Sequence, residues 1–323
     1  MSSLLSVQDL KVHFPLARKG LFGPRRAVHA VDGVSFDVRR GETFGIVGES
    51  GSGKSTTALA VMRLAPITEG AILLDGAPLD RLQGNALRTM RKRLQIIFQD
   101  PYSSLNPRFR AGDIVREPLD LIGIGTKAER EARVAELFRN VGLRPEQQAL
   151  FPHQFSGGQR QRIGIARALA TQPELIVCDE PVSALDVSVQ AQVLNLMLDL
   201  QAEFGLTYIL ISHDLAVVEY VCPQVAVMYL GRVVEQAAAA DIFRRPAHPY
   251  TQALLAAVPN RAGRISGRRR RRAVLQGGAG AAMAMAPGCS FADRCPRAEE
   301  RCRIERPALR PVAGESGHVA ACH

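Results

Sequence analysis

The sequence predicts an α/β protein with a parallel core sheet, an antiparallel β layer at its start and a helical subdomain. Short apolar segments recur along the chain with helical patterns between most of them, which is typical of parallel strands joined by helices. One of them, Thr43–Val47, runs directly into a glycine-rich turn and a helix that we expect to begin near Gly53. Between residues 106 and 171 helical patterns replace the strand patterns, which predicts the subdomain.

The antiparallel layer is predicted from alternation at the start of the chain. Apolar residues alternate over residues 5–14 and 28–38, and a Gly/Pro/Arg-rich loop at 19–26 joins the two segments. Further buried strands are predicted at residues 94–98, 175–178, 207–211 and 225–229. In the helical subdomain, one apolar face at helical spacing is interpreted as core rather than as a cofactor site: Val134, Leu137, Phe138 and Val141.

Length and composition fit one large domain followed by a small extension. The chain has 323 residues, 46% of them hydrophobic, which is enough to bury a full core. We predict a main domain at residues 1–245, a helix and a basic, Ala-rich linker at 246–288, and a Cys-rich extension at 289–323. The linker contains five consecutive arginines at 268–272.

The net charge of +10 lies almost entirely in the last part of the chain. From residue 261 onward there are 13 Arg against 5 Asp and Glu, so that part carries +8 and the main domain is nearly neutral. We therefore expect no nucleic-acid partner. No apolar run reaches the ~20 residues that a bilayer-spanning helix needs, and no secretory signal is evident at the start. These features predict a cytoplasmic protein that reaches a membrane through partners.

A phosphate loop, residues 48–55, follows the strand Thr43–Val47. It reads Gly-Glu-Ser-Gly-Ser-Gly-Lys-Ser, which fits the phosphate-loop pattern in full and stands in the strand-loop-helix context that the pattern requires. Its glycines let backbone N–H groups face phosphate oxygens, its lysine neutralises them, and its last serine offers a hydroxyl to Mg²⁺. The predicted nucleotide-binding residues are Gly48, Ser50, Gly51, Gly53, Lys54, Ser55 and Thr56.

Two adjacent acids follow the apolar segment at 175–178. At the end of a strand in an α/β sheet, Asp179 can orient Mg²⁺, and Glu180 can act as general base on an attacking water. Two such acids are usually a solvated strand end. The phosphate loop elsewhere in the sheet favours the catalytic interpretation.

The signature segment, Ser156-Gly157-Gly158-Gln159, places a hydroxyl and two glycines before a helix. Its N–H groups and its serine are suited to bind a γ-phosphate. Because the chain already has a phosphate loop of its own, we expect this γ-phosphate to lie across a dimer interface. The segment resembles the signature motif of ABC ATPases, in which Leu usually stands at the position of Phe155. The resemblance covers about residues 5–243 and implies an ABC-type P-loop ATPase that binds ATP and Mg²⁺.

This resemblance implies roles for four further residues. Gln99 stands at the position of the Q-loop glutamine, and Asp186 ends a segment that is similar to the D-loop crossing the dimer. His213 resembles the switch histidine that contacts the γ-phosphate. Phe14 resembles the aromatic residue that stacks on adenine, although a core position suits it equally. The implied Mg²⁺ ligands are Ser55, Gln99 and Asp179.

A closer resemblance to one branch of the ABC ATPases indicates that the cargo is a peptide. Residues 96–108, 180–190 and 248–255 are similar to oligopeptide and dipeptide importer ATPases, and residues 12–15 and 30–36 look like the second of two paired ATPases. This implies a heterodimer with a homologous ATPase, two transmembrane permease subunits and a periplasmic or lipoprotein peptide-binding protein. The chain would then lie at the cytoplasmic face of the inner membrane.

Other cargoes and protein classes stay open. ATPases of the same branch serve nickel, glutathione or another small solute. Phosphonate-metabolism proteins, which transport nothing, also closely resemble this branch. A soluble ABC protein of DNA repair or translation typically needs a long coiled coil or a second cassette, and the sequence has neither.

Four cysteines crowd the extension: Cys289, Cys295, Cys302 and Cys322. In a reducing cytoplasm such a cluster favours metal over disulfides. Four thiolates suit zinc or an iron-sulfur cluster, and the spacing lacks the paired CxxC knuckles of zinc ribbons. In the resembling family the four cysteines are similar to ligands of a 4Fe-4S cluster. We predict that cluster, with zinc or unligated thiols as alternatives.

Overall fold

The computed structural model describes residues 3–16, 27–100, 102, 104–258, 287–314 and 317–323. The predicted loop at 19–26 and the arginines at 268–272 lie outside these residues. In chain order the strands and α-helices are β1 (Ser3–Pro15), β2 (Ala27–Arg39), β3 (Thr43–Val47), α1 (Lys54–Val61), β4 (Glu69–Leu74), β5 (Ala77–Pro78), α2 (Gly84–Met90), β6 (Leu94–Ile97), α3 (Ala111–Ile122), α4 (Lys127–Asn140), α5 (Gly157–Leu169), β7 (Leu175–Asp179), α6 (Val187–Phe204), β8 (Thr207–Ser212), α7 (Leu215–Val221), β9 (Gln224–Tyr229), β10 (Arg232–Ala238), α8 (Ala239–Arg244), α9 (Pro249–Ala256), α10 (Glu300–Ile304), β11 (Arg310–Pro311) and β12 (Val319–Ala320). Short 3₁₀ turns cover Pro145–Ala149, Pro152–Gln154 and Ala292–Arg294.

The described chain forms two compact units, which together give the mixed α/β fold that the sequence predicts. The first unit takes in the described residues of 1–4, 38–43 and 77–211, and the second those of 5–37, 44–76 and 212–323. In the part of the chain that the structure describes, no helix is both long and apolar enough to cross a bilayer.

Parallel strands form the sheet of the first unit. Strand β7 pairs with β6 and β8 on its two sides, and Leu175 lies opposite Leu94 and Thr207. Residues 175–178 are fully buried, as expected for a parallel strand that is covered on both faces. Because parallel strands end at the same edge, the residues that follow β6 and β7 lie near one another at that edge.

Residues 106–171 form helices joined by turns and short loops, and they contain no strand. Helices α3, α4 and α5 pack together there. The predicted core face is confirmed, because Val134, Leu137, Phe138 and Val141 are each at most 2% exposed. Helix α4 begins at a capping box in which the Thr126 hydroxyl accepts the Glu129 N–H and the Glu129 carboxylate accepts the Thr126 N–H.

The second unit contains an antiparallel layer and a mixed sheet. In the layer, β1 lies between β2 and β4, and Leu5 pairs with Leu74 in antiparallel register. In the mixed sheet the strand order is β11-β12-β10-β9-β3; β3 and β9 are parallel, and the other pairs are antiparallel. This unit positions the phosphate loop, which leaves the end of β3.

The extension packs within the second unit. Strand β12 pairs with β10, with Ala320 opposite Glu235. The Nε2 atom of His318 lies 2.7 Å from the Glu235 carboxylate, and both side chains are completely buried. Phe291 is 1% exposed and packs against neighbouring aromatic rings. These contacts give the extension a shared core, since its own sequence is poor in apolar residues.

Candidate functional site

The phosphate loop joins β3 to α1 in the second unit. Gly48 and Gly53 have φ values of 154° and 101°, which residues with a side chain rarely adopt. A Cβ atom would lie 2.2 Å from the Met228 carbonyl oxygen at Gly48 and 2.3 Å from the Ala30 carbonyl oxygen at Gly53. These two positions therefore require glycine for both conformation and space, as a tight phosphate-binding turn does.

Lys54 is buried beneath this loop. Its side-chain nitrogen donates hydrogen bonds of 2.8 Å to the carbonyls of Gly48 and Glu49, and the residue is 5% exposed. The loop is thereby folded around a positive charge that can neutralise phosphate oxygens. Several predicted nucleotide-binding residues are accessible at the surface of the loop: Ser50, Gly51 and Ser55 are exposed, and Thr56 is half-buried.

Glu49 connects the phosphate loop to the C-terminal part of the second unit. Its N–H donates to the Tyr250 hydroxyl at 2.8 Å, and its carboxylate accepts two hydrogen bonds of 3.0 Å from the Arg294 guanidinium. These bonds to Glu49 are the main reason why the pKa of Arg294 lies above its usual value. Sequence reasoning missed this contact, since Glu49 and Arg294 are 245 positions apart and no local pattern joins them.

Gln99 and Glu180 are hydrogen-bonded to each other in the first unit. The Gln99 Nε2 atom donates to a Glu180 carboxylate oxygen at 2.8 Å. Glu180 has a φ of 48°, unusual for a residue with a side chain, and its N–H donates to the Ile211 carbonyl at 2.9 Å. Such conformations cluster at active sites. Asp179, which directly precedes Glu180, is half-buried and is the last residue of β7.

The signature segment forms the beginning of α5. The Ser156 hydroxyl accepts the Gln159 N–H at 3.3 Å, and the Gln159 side chain accepts the Ser156 N–H at 3.0 Å. This capping box fixes the helix terminus, while the serine hydroxyl keeps a hydrogen that it can donate to an anion. Gly157 and Gly158 are half-buried, and Gly158 leaves room for α6, because a Cβ there would lie 2.5 Å from the Val189 side chain.

The remaining predicted residues are exposed near the ends of secondary-structure elements. Asp186 precedes α6 in the first unit, and His213 lies between β8 and α7 in the second. Phe14 lies near the end of β1 and is 38% exposed, so the core position considered for it is wrong.

The four cysteines of the extension lie near one another. Burial raises the pKa of the Cys289 thiol, and the thiols of the other three cysteines raise it further. The Cys289 N–H also donates to the Cys302 carbonyl at 2.7 Å. No three of the described cysteine sulfurs lie within 4.8 Å of one another. Four thiolates around a single zinc ion would lie about 3.8 Å apart, given Zn–S bonds of ~2.3 Å.

A group of possible metal ligands that the sequence did not indicate consists of His13, His29 and Asp32. The Asp32 carboxylate is ion-paired with Arg232 and lies 3.6 Å from the Arg306 guanidinium. Two arginines therefore balance the charge of this carboxylate without a metal ion.

Two family models match the chain. The ABC transporter model matches residues 31–183, and the model for the C-terminal region of oligopeptide/dipeptide transporters matches residues 234–302. The first match contains the phosphate loop, the signature segment and the two acids at the end of β7, Asp179 and Glu180. The second contains three of the four cysteines of the extension.

Known proteins resemble the chain over nearly its whole length. A probable peptide ABC transporter ATP-binding protein of Sinorhizobium fredii is 49% identical over 99% of this chain and 90% of its own length. The oligopeptide transport ATP-binding protein AppF of Bacillus subtilis is also 49% identical, over 99% of this chain and 97% of its own. A dimeric ATP-binding cassette solved in a post-hydrolysis state with ADP and Pi has a TM-score of 0.64 at 28% identity, covering 73% of this chain and 98% of that one.

Proposed function

Because this chain belongs to the family of ABC transporter ATP-binding proteins, we propose that it is the ATPase subunit that powers import of dipeptides and oligopeptides. The observation that carries the proposal is the extent of the match. Relatives named for peptide transport align with 99% of the chain at 49% identity, and a family model for peptide transporters matches residues beyond the cassette.

The loop geometry supports ATP as the nucleotide substrate. The phosphate loop binds the phosphates through its backbone and through Lys54, and Phe14 stacks on the adenine ring. The Ser55 hydroxyl, the Gln99 side-chain carbonyl and the Asp179 carboxylate are oxygen donors of the kind that Mg²⁺ prefers. Bound Mg²⁺ supplies charge neutralisation of the phosphates.

Glu180 is the general base for hydrolysis. Its carboxylate takes a proton from the attacking water, and the hydrogen bond from Gln99 orients that carboxylate. His213 contacts the γ-phosphate and stabilises its developing charge. The signature segment and Asp186 act on the ATP bound by a second cassette, so two ATPase chains close over nucleotide and reopen after hydrolysis.

The family to which the chain belongs supports a proposal for its partners. The second cassette belongs to a homologous ATPase, and the resulting heterodimer drives two membrane permease subunits that receive peptides from a periplasmic or lipoprotein binding protein. The chain works at the cytoplasmic face of the inner membrane.

The segment from Gln99 to Asn106 couples hydrolysis to transport. Tyr102 is 62% exposed in this segment, and the Arg160 guanidinium lies 3.9 Å from the centre of its ring. We expect Tyr102→Ala to lower dipeptide uptake into reconstituted vesicles by about fivefold or more, the low end of usual coupling energies, while basal ATP hydrolysis changes much less.

Tyr220→Ala is the matched control, because Tyr220 is also a tyrosine with 62% exposure. It should leave both uptake and hydrolysis near the wild-type values. Equal losses of uptake and hydrolysis in Tyr102→Ala would argue against a coupling surface in this segment.

The cysteines of the extension hold a 4Fe-4S cluster with a structural role. Four neighbouring thiols in one small extension match the four cysteine ligands that a 4Fe-4S cluster takes. Burial raises the pKa of the Cys289 and Cys322 thiols, so binding of a metal would release their protons. The cluster would supply metal-thiolate bonds to a segment that has little apolar core of its own.

Protein purified without oxygen should therefore be brown and contain about four irons per chain. Cys295→Ser should lose the colour and loosen the extension. Cys222→Ala is the control, since Cys222 is a buried core cysteine with 3% exposure, and it should retain the iron. Colourless protein with one zinc, or without metal, would contradict the iron-sulfur assignment and leave the ATPase function untouched.

A further inference from the structure

An ion pair ties the extension to the phosphate loop. Two nitrogen atoms of the Arg294 guanidinium each donate a 3.0 Å hydrogen bond to a different oxygen of the Glu49 carboxylate. The two side chains are 12% and 26% exposed, so solvent and salt screen the pair only in part. A two-pronged bond of this kind fixes both the distance and the orientation of the carboxylate.

Arg294 is itself held in place by an aromatic cluster. It ends the 3₁₀ turn that follows Phe291, whose buried ring packs 5.3 Å from Tyr229 and 5.5 Å from Tyr250, measured between ring centres. The guanidinium also donates to the Tyr229 hydroxyl at 3.2 Å and lies 5.6 Å from the centre of that ring. Because these contacts order the arginine, little conformational entropy remains to be lost when it binds Glu49.

The backbone of Glu49 is fixed from two further directions. Its N–H donates to the Tyr250 hydroxyl, and its carbonyl accepts a hydrogen bond from Lys54, both at 2.8 Å. The position of Glu49 therefore determines where a carbonyl ligand of Lys54 lies. A carboxylate in a phosphate loop would also repel ATP unless a cation neutralised it.

We propose that Arg294 is a positioning residue for ATP binding, which acts through Glu49 by neutralising its carboxylate and fixing the phosphate loop. This inference rests on the proposed function, because it assumes that the loop binds ATP. It gives the extension a role in nucleotide affinity: the segment that carries the cysteines also supplies the counter-charge of the phosphate loop.

The test is the dissociation constant of Mg²⁺-ATP for the full chain and its variants. Arg294→Ala should weaken binding about tenfold, the usual effect of losing one partner of a charged hydrogen bond. Arg294→Lys should lose part of the affinity, since lysine keeps the charge but not the two-pronged geometry. Adding Glu49→Gln to Arg294→Ala should restore part of the affinity, because the unpaired charge is removed.

That rescue distinguishes a positioning role from a merely structural one. If Arg294→Ala only disturbed the fold, a second substitution in the loop would not restore the affinity for ATP. Arg303→Ala is the control, because Arg303 belongs to the same extension but pairs with Asp293 on the exposed surface. It should bind ATP like the wild type. If Arg294→Ala fails to fold, the affinities of Arg294→Lys and Glu49→Gln for Mg²⁺-ATP test the inference instead, because both substitutions nearly preserve the size of the side chain.

Wild-type affinity in a folded Arg294→Ala chain, or a double variant as weak as Arg294→Ala alone, would overturn the inference. When Arg294→Ala does not fold, wild-type affinity in both conservative variants would overturn it. Failure of the wild-type chain to bind ATP would instead reject the proposed function, so the two failures are distinguishable.

Discussion

Glu180→Gln is expected to slow ATP hydrolysis by about a hundredfold or more, the usual contribution of a general base, while ATP still binds. Glutamine keeps the size of the side chain, and its carbonyl oxygen can accept the hydrogen bond that Gln99 donates to Glu180. The loss is then confined to proton transfer. The rate of phosphate release and the affinity for ATP, measured on the same preparation, separate the effect on hydrolysis from the effect on binding.

The variant should also accumulate a closed ATP-bound dimer, which size-exclusion chromatography with ATP can detect. Glu203→Gln serves as the control, because Glu203 is an exposed acid on α6, and its hydrolysis should match the wild type. Turnover near the wild-type rate in folded Glu180→Gln protein would show that another group is the catalytic base.

Lys54→Ala should remove tight ATP binding. Lys54 is the buried cation of the phosphate loop, and it also joins the carbonyls of Gly48 and Glu49. Loss of a charged hydrogen bond of about 3 kcal/mol corresponds to roughly a hundredfold weaker binding. Direct titration with a fluorescent ATP analogue measures this change.

Lys127→Ala provides the matched control, since the Lys127 side chain is 87% exposed at the beginning of α4. It should bind ATP normally. A Lys54→Ala chain that binds ATP as tightly as the wild type would refute the assignment of the phosphate loop.

The parts of the fold and site that could be predicted from sequence are those specified locally. The phosphate loop is contiguous, and the positions of Gly48 and Gly53 are dictated by backbone conformation and close approach. The core face of α4 follows from helical spacing, so Val134 and Leu137 could be placed without a structure. The capping box at Ser156 is likewise encoded within four residues.

Long-range contacts could not be predicted in this way. The hydrogen bond between Gln99 and Glu180 joins residues 81 positions apart, and only family resemblance suggested a shared role. The pairing of Arg294 with Glu49 depends on how the extension packs on β9 and β10, which no periodicity encodes. Phe14 was ambiguous because an apolar residue at the end of a strand suits both a core and a surface position.

Uptake of a labelled dipeptide into vesicles that contain this chain and its proposed partners, namely the homologous ATPase, the two permeases and the binding protein, tests peptide import most directly. We expect peptide to accumulate only when ATP is present on the side of the membrane where this chain lies. The accumulation should disappear with the Lys54→Ala and Glu180→Gln variants. ATP-dependent uptake of nickel or glutathione without peptide uptake, or peptide uptake that survives both substitutions, would contradict the conclusion that this chain powers peptide import.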